Sequence, residues 1–431
     1  MRKGDIYTRK VVLLSLLPII VTGLYILRIG LNIPFWDQWT VVALLAKKYQ
    51  GLLSLADLFG EHLGHRPFFP RLIWIGLSEY TGYNVNAELW VNFLIALGTF
   101  WFFVNRSMKA WSRLGVSVPP MMVPLMSLLV FNLGQHESWL QGFQTVMFLG
   151  VAAVVVGLFL LAEDSGLPAF LVAAMLGVVA TFSMASGLLY WFVGLAVLAV
   201  SSPHRSKAAR WFLWTLASTI SIVFFFNDWA PGRSPNLGYE FAHPLQWYLW
   251  VVNFLGAPLL RSWYVAWIFG MVSISLYVLA LGHAVRTNRW RQIVAYLAIA
   301  IFVLLMDFSV SSGRMSMGMP QSVVSRYLTV SVWYWTSLLA LIPMLQIRGL
   351  YRSVLYASFT ISLIVQMVLG GRSGYVAVYR RLLPAYMAVS SGQTVDDSEL
   401  ALINWDLELG RARSQLDFLC EHRLSACAHA P

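Results

Sequence analysis

Long runs of apolar residues almost free of charge constrain this chain more than any other feature. Residues 11–27, 146–162 and 293–306 are such blocks, and the apolar residues in them cover every side rather than one stripe. A helix needs about 20 predominantly apolar residues to cross hydrocarbon, and its backbone polar groups must be satisfied within the segment. The alternation of a transmembrane barrel is absent. With 58 % hydrophobic and 11 % charged residues, the composition lies far from that of ordinary globular domains. The fold class expected is therefore an all-α polytopic membrane protein.

By length and hydropathy the sequence predicts about eleven spans. They fall near 11–29, 85–104, 119–134, 144–162, 167–183, 185–201, 210–227, 263–284, 291–310, 323–343 and 351–370. The turn Ser183-Met184-Ala185-Ser186-Gly187 between two of them is very short. The first span follows Arg2, Lys3, Arg9 and Lys10 and lacks a small-residue cleavage site, so it reads as a retained helix.

Lys and Arg concentrate in cytoplasmic loops. Placing the N-terminus in the cytoplasm puts four short basic connections there: Arg106/Lys109/Arg113, His204/Arg205/Lys207/Arg210, Arg286/Arg289/Arg291 and Arg348/Arg352. Glu163-Asp164 is the connection that departs from this pattern. An odd span count then leaves the C-terminus outside. The expected division is a membrane domain over 1–370, with a first outer loop at 30–84, and a short helical outer tail over 371–431. The other large outer loop is 228–262.

The net charge of +11 needs no nucleic-acid partner, because about half of the basic residues serve as cytoplasmic anchors. A surplus remains on the outer side: Arg66, Arg71, Arg233, Arg261, Arg314 and Arg326. Topology does not ask for these cations; an anionic ligand or lipid phosphates would. The two cysteines, Cys420 and Cys427, both lie in the tail. An oxidising compartment favours a disulfide between them, and two free thiols are the alternative.

The first outer loop collects most of the candidate chemistry. It opens Asn32-Ile33-Pro34-Phe35-Trp36-Asp37-Gln38-Trp39. Asp37, bracketed by Trp36 and Trp39, reads either as a solvated residue in an interfacial aromatic belt or as a carboxylate held at membrane height. In the second case its aromatic neighbours limit water and favour a base. Residues 41–58 have helical apolar spacing, with Leu44, Leu45, Leu52, Leu55 and Leu58 as contacts for a helix lying along the membrane surface.

The loop ends in Glu61-His62-Leu63-Gly64-His65-Arg66-Pro67-Phe68-Phe69-Pro70-Arg71. If this stretch is helical, Glu61 and His65 share a face, as do His62 and His65. Glu61, His62 and His65 could then hold a divalent metal, although no complete ligand pattern is present; a hydrogen-bonded loop capping the next helix is the other reading.

Two further outer segments carry polar residues. Gln135-His136-Glu137-Ser138-Trp139 through Gln144 is either a short exposed loop or the lining of a cavity, with Gln135, Gln144 and Trp139 suited to sugar hydroxyls and rings. Ser325-Arg326-Tyr327 starts the tenth span, where Arg326, with Arg314 nearby, can snorkel to head groups or clamp a ligand phosphate. There is no P-loop, dinucleotide glycine pattern, hydrolase elbow or zinc-protease helix. Every inner loop is short, so chemistry powered by cytoplasmic nucleotides is not expected.

The arrangement resembles the GT-C superfamily of membrane glycosyltransferases, in which an acidic residue follows the first span in a long outer loop. His65-Arg66-Pro67-Phe68-Phe69-Pro70-Arg71-Leu72, with Tyr80-Thr81-Gly82 before the next span, is similar to the H-P-P-L…G stretch of protein-mannosyltransferase-like and aminoarabinose-transferase-like members. Asp37-Gln38-Trp39 with Glu61-His62-x-x-His65-Arg66 resembles a poorly characterised bacterial branch. The likeness covers the N-terminal third. It departs from many members in that Asp37 is followed by Gln38 rather than a second acid, and no C-terminal carbohydrate domain is evident.

The resemblance implies an inverting transferase of the bacterial inner membrane that moves sugar from a polyprenyl-phosphate donor to an envelope acceptor such as O-antigen, lipid A or another surface glycan. Asp37 would be the general base. Arg326, Arg66, Arg71 and Arg314 would hold the donor phosphate. Glu61, His62, His65, Gln135, His136, Glu137, Trp36, Trp39, Trp139 and Tyr327 would position substrates. No cofactor is required, and a divalent metal stays open. An envelope polysaccharide polymerase or ligase, and a lipid-linked glycan flippase, are the alternatives.

Overall fold

The computed structural model describes residues 3–163, 166–201, 207–229, 237–345, 349–404 and 409–429. Asp164, His204, Arg205, Arg233 and Arg348 lie outside the described residues. Within them the chain is helical, apart from one β-bridge between His62 and His65. Among the described residues eight helices are long and apolar enough to cross a membrane: Arg9–Ile29, Val85–Leu114, Gly142–Glu163, Lys207–Phe226, Ala266–Arg286, Trp290–Met317, Ser325–Leu345 and Gly349–Ser390. The protein is therefore a multi-pass helical membrane protein.

In chain order the elements begin with α1 (Lys3–Ile29), α2 (Trp39–Tyr49), α3 (Leu55–Phe59), α4 (Phe68–Thr81) and α5 (Val85–Leu114). Next come α6 (Met122–Val130), α7 (His136–Trp139), α8 (Thr145–Glu163), α9 (Leu167–Thr181), α10 (Leu189–Ser201) and α11 (Lys207–Phe226). The second half holds α12 (Leu237–Ala242), α13 (Pro244–Gly256), α14 (Ala266–Arg286), α15 (Val294–Arg314), α16 (Leu328–Leu341) and α17 (Gly349–Ala377). A π-helical turn, Val378–Leu382, joins α17 to α18 (Leu383–Ser390), followed by α19 (Asp397–Ile403) and α20 (Leu409–Glu421).

Every residue of α16 is buried, so this helix is the axis of the bundle. At its margin α1, α11 and α17 expose apolar side chains such as Leu17, Leu24, Phe212, Val223, Ile361 and Val368. A helix that is apolar all round yet half uncovered is stable only where its surroundings are also apolar.

Three predicted spans come out short. Residues 119–134 yield only α6, whose nine residues rise about 14 Å, less than half the hydrocarbon thickness. The helix stops because Asn132 adopts extended backbone and its side chain accepts from the Gly134 N–H while donating to the Leu363 carbonyl, 2.9 Å away. The apolar helices α9 and α10 have 15 and 13 residues. The helix starting at α17 does not stop at 370 but runs to Ser390.

Helix ends sort into two groups. One end gathers Arg106, Trp111, Glu163, Lys207 and Tyr296, tied by Arg106 to Glu163 at 2.6 Å, Trp111 to the Ala340 carbonyl at 2.8 Å and Tyr296 to Ser107 at 3.2 Å. Glu163, the acid that departs from the basic pattern, is thus paired. The other end gathers the loop at 30–84, the turn 132–144, the segment 315–327 and the tail.

The stretch 41–58 is two helices, not one, and only the first of them has its apolar face covered by protein. Leu44 and Leu45 are buried, and Tyr49 packs edge-on against Phe418 of α20 with ring centroids 5.6 Å apart. Leu52 and Leu55 remain exposed. The tail is held by Trp39, whose indole N–H donates to the Ile403 carbonyl at 3.1 Å, and by Ser425, bonded to Gly82 and Asn32 at 3.0 Å each. Cys420 and Cys427 are joined by a disulfide.

Candidate functional site

The loop-rich end is built on a tight turn rather than on the helix that residues 61–66 could have formed. His62 and His65 exchange backbone hydrogen bonds at 2.8 and 2.9 Å, with Leu63 at φ 49° and Gly64 at φ 84° between them. Two left-handed residues in a two-residue connection match the twist of a β-hairpin, and glycine tolerates the second without cost. The Glu61 carboxylate closes the turn by accepting from the Gly64 N–H. Glu61 is consequently a turn-former, and its face-sharing with His65 is lost. Among the described residues no three His, Cys, Asp or Glu side chains are grouped to hold a metal ion.

The hairpin sets the two imidazoles differently. Nδ1 of His65 accepts the Ala185 N–H at 2.9 Å. Burial, with help from His62 and Arg314 and against the pull of Asp37, pushes its pKa down to about 4. An accepting Nδ1 and a depressed pKa both mean a neutral ring. His62 packs edge-on against Phe143 with centroids 5.2 Å apart, and its Nε2 points at Asp37, 3.5 Å from Oδ1. That nitrogen is buried and has no hydrogen-bond partner among the described residues.

Asp37 sits in a 3-10 turn, Trp36–Gln38, and its side chain is 29 % exposed. Trp36 before it has φ 51°, an uncommon value for a bulky residue. The turn is pinned from beneath by Gln38, fully buried, whose amide donates to the buried Glu88 carboxylate. Tyr83 adds a 3.3 Å bond to the Gln38 carbonyl.

Facing this turn are the arginines of the bundle. Arg326 and Arg314 lie over the Tyr327 ring, 5.4 and 5.6 Å from its centroid. A cation over an aromatic face is attracted by the ring quadrupole. Arg326 also meets Glu137 at 3.5 Å, and both Glu137 and Asp37 act on it electrostatically. Arg261 bonds to Nδ1 of His136 at 3.2 Å. Burial first, and then the Arg261 charge, push the His136 pKa down to about 3, so this ring is neutral too.

The fold thus brings Asp37, His62, His65, Arg314, Arg326, Tyr327, Glu137 and His136 to one place. Other sequence candidates are used elsewhere. Arg66 donates to the carbonyls of Phe225 (2.7 Å), Phe59 (2.9 Å) and Asn227. Arg71 caps α3 at the carbonyls of Leu58 (2.9 Å), Asp57 (3.3 Å) and Gly60; burial and the nearby Arg66 bring its pKa down to about 10. Both guanidiniums are spent on backbone. Gln135 is buried and donates to Val130 at 2.8 Å. Trp139 is fully buried, bonded to the Asn132 carbonyl at 3.1 Å and packed on Phe131 and Phe148. Trp39 anchors the tail, as above.

The segment 132–144 is buried in protein and not exposed, with Asn132, Gln135, Ser138, Gln141 and Gln144 all nearly inaccessible. Irregular backbone of this kind at the end of a bundle is tolerated when neighbouring helices cover it. Helix α17 does so by close approach at Gly374, where a Cβ would strike His136 and the Tyr25 hydroxyl.

Three contributors were not singled out from sequence. Arg261 stood only among the surplus cations, and nothing in the local pattern marks Gln38 or Glu88 as supports of the Asp37 turn. Comparison with protein-family models, curated proteins and solved structures finds no match to this chain.

Proposed function

We propose that the chain is an integral membrane glycosyltransferase of GT-C type, moving a sugar from a polyprenyl-phosphate donor to a cell-envelope acceptor. The observation that carries this reading is the convergence of one accessible carboxylate, Asp37, with Arg326 and Arg314 on a shared Tyr327 ring at the loop-rich end.

In this reaction the acceptor hydroxyl oxygen attacks the anomeric carbon. The bond from that carbon to the donor phosphate oxygen breaks, and configuration inverts. Asp37 takes the hydroxyl proton. The leaving polyprenyl phosphate carries away the electron pair and needs no protonation, because cations neutralise its developing charge. Arg326 is the first choice for that role: its ion pair with Glu137 is long, so a phosphate can compete for it. Arg314 supports it, and neutral His65 and His136 add no charge that would compete. His62, with Nε2 3.5 Å from Oδ1 of Asp37, bounds the space in which the carboxylate can turn. Arg66 and Arg71 keep the loop in shape and are removed from the clamp.

We assign the loop-rich end to the periplasm and the basic end to the cytoplasm of a bacterial inner membrane, following the Lys/Arg bias. Residues 119–134 lead from the basic end to the loop-rich end although α6 itself is short; counted as a crossing with α9, α10 and the eight long helices, they give eleven passes, N-terminus inside and C-terminus outside. The disulfide in the tail agrees with an oxidising compartment.

The test is reconstitution in liposomes with labelled polyprenyl-phosphate sugars and an envelope acceptor fraction. Label should move to the acceptor with wild-type protein and not with Asp37→Asn. Donor crossing the bilayer without chemical transfer would replace this reading with a flippase.

A further inference from the structure

A hollow opens beside the Asp37 turn, between the first loop, the turn at 136–141 and the end of α17. Phe35, Trp36, Glu137, Gln141, Arg381 and Leu382 are among its walls. Its volume is about 50 Å³, so it cradles one face of a ligand and leaves the rest in solvent. Trp36 is stacked on Phe35 with centroids 4.7 Å apart and holds its φ of 51°. A bulky residue kept in that conformation calls for a function at the position. Asp37 is the next residue.

Across the hollow is Arg381. The π-helical turn Val378–Leu382 carries it, within a helix that is otherwise regular from Gly349 to Ser390. Such turns cluster at functional sites because the extra residue re-aims the side chains of that turn. Unlike Arg66, Arg71, Arg261 and Arg326, Arg381 has no hydrogen bond or ion pair among the described residues, and it is exposed. An indole face, a carboxylate and an amide suit a sugar ring and its hydroxyls. An unpaired guanidinium in the same wall suits an acidic substituent on that sugar.

We propose that this hollow is the acceptor site and that the acceptor is an anionic saccharide: its ring lies on Trp36, its hydroxyls meet Glu137 and Gln141, and its carboxylate or phosphate meets Arg381. The role as acceptor rests on the transferase reading; the binding does not.

The experiment is a titration of purified full-length protein in neutral detergent, without donor, using a glucuronate-containing disaccharide and its uncharged glucose counterpart. The acidic sugar should bind at least about tenfold more tightly, as one charge-assisted hydrogen bond provides. Arg381→Ala should bring the two to equal affinity, and Trp36→Ala should weaken both. Thermal melting checks that both variants are folded. Repeating the titration with phosphatidylglycerol added tests lipid as the source of the anion. Equal binding of the two sugars by the wild type overturns the proposal. So does an acidic preference that survives Arg381→Ala, or one abolished by phosphatidylglycerol. Arg381-dependent acidic binding with no transfer from any polyprenyl-phosphate sugar would sink the transferase reading and leave the site. Transfer without acidic preference would do the reverse.

Discussion

Nε2 of His62 stands 3.5 Å from Oδ1 of Asp37, one from the closing hairpin of the first loop and the other from its opening turn. The separation is short enough for electrostatic coupling and too long for a strong hydrogen bond. On the transferase reading, Asp37→Asn should lower transfer by about 10²- to 10⁴-fold, the usual contribution of a general base, at unchanged expression and melting temperature. His62→Ala should cost less, because the carboxylate remains. Rates from purified variants in liposomes check both, and full activity of Asp37→Asn would exclude it as the base.

Arg326 and Arg66 are both arginines of the loop-rich end and should fail in different ways. Arg326→Ala is expected to cut turnover by about 10²-fold, the scale of losing one stabilising donor, with weaker donor binding and little change in melting. Lysine should not restore it, since an ammonium lacks the planar two-pronged fork. Donor affinity equal to wild type would remove Arg326 from the phosphate site.

Arg66→Ala should instead behave as a stability variant. It leaves the carbonyls of Phe225, Phe59 and Asn227 without their donor, at about 1–3 kcal/mol for each that water cannot reach. A lower melting temperature, with donor affinity of the folded fraction unchanged, is the expected result. Selective loss of donor binding at wild-type stability would return Arg66 to the clamp.

How much of this was legible follows from those two residues. From sequence both read alike, as cations that topology does not require. Whether a guanidinium meets ligand or backbone depends on which carbonyls lie within reach. Those of Phe225 and Asn227 come from the end of α11, far along the chain from Arg66.

The two buried histidines give the loop-rich end a pH dependence. His65 titrates near 6.5 when unfolded and about 4 in the fold; His136 falls from the same value to about 3. Below pH 6.5 the unfolded chain therefore binds more protons than the folded one, so stability drops as the pH falls. For His65 the loss runs from about 6.5 down to 4 and then levels off. Melting in detergent between pH 7.5 and 4.5 should show a falling midpoint, shallower in His65→Gln. A midpoint that rises on acidification would contradict the neutral assignment.

The tail offers a test that does not depend on function. Cys420 and Cys427 close a loop with a sequence separation of 7, which the chain-entropy relation values at about 2.5 kcal/mol. Cys420→Ser with Cys427→Ser should speed proteolysis within 390–429 while the bundle stays intact. Trp39→Phe, which removes the bond to the Ile403 carbonyl, should do the same more mildly. Unchanged cleavage in both would mean that the tail is held by other contacts.

The sequence alone determined that the chain is a helical membrane protein with several long apolar helices, and that polar residues gather in the first loop. These follow from local composition, because hydrocarbon accepts only apolar, internally bonded helices whatever their neighbours. It could not decide that 119–134 breaks after nine residues, that 62–65 is a hairpin, or that the end of α2 packs on the tail. Each depends on partners distant in the chain: Leu363 for Asn132, Ala185 for His65, Phe418 for Tyr49. The same holds for the candidate site. Asp37 was legible as an acid at the membrane edge, whereas His62 and Arg326 became its neighbours only through packing of the whole bundle.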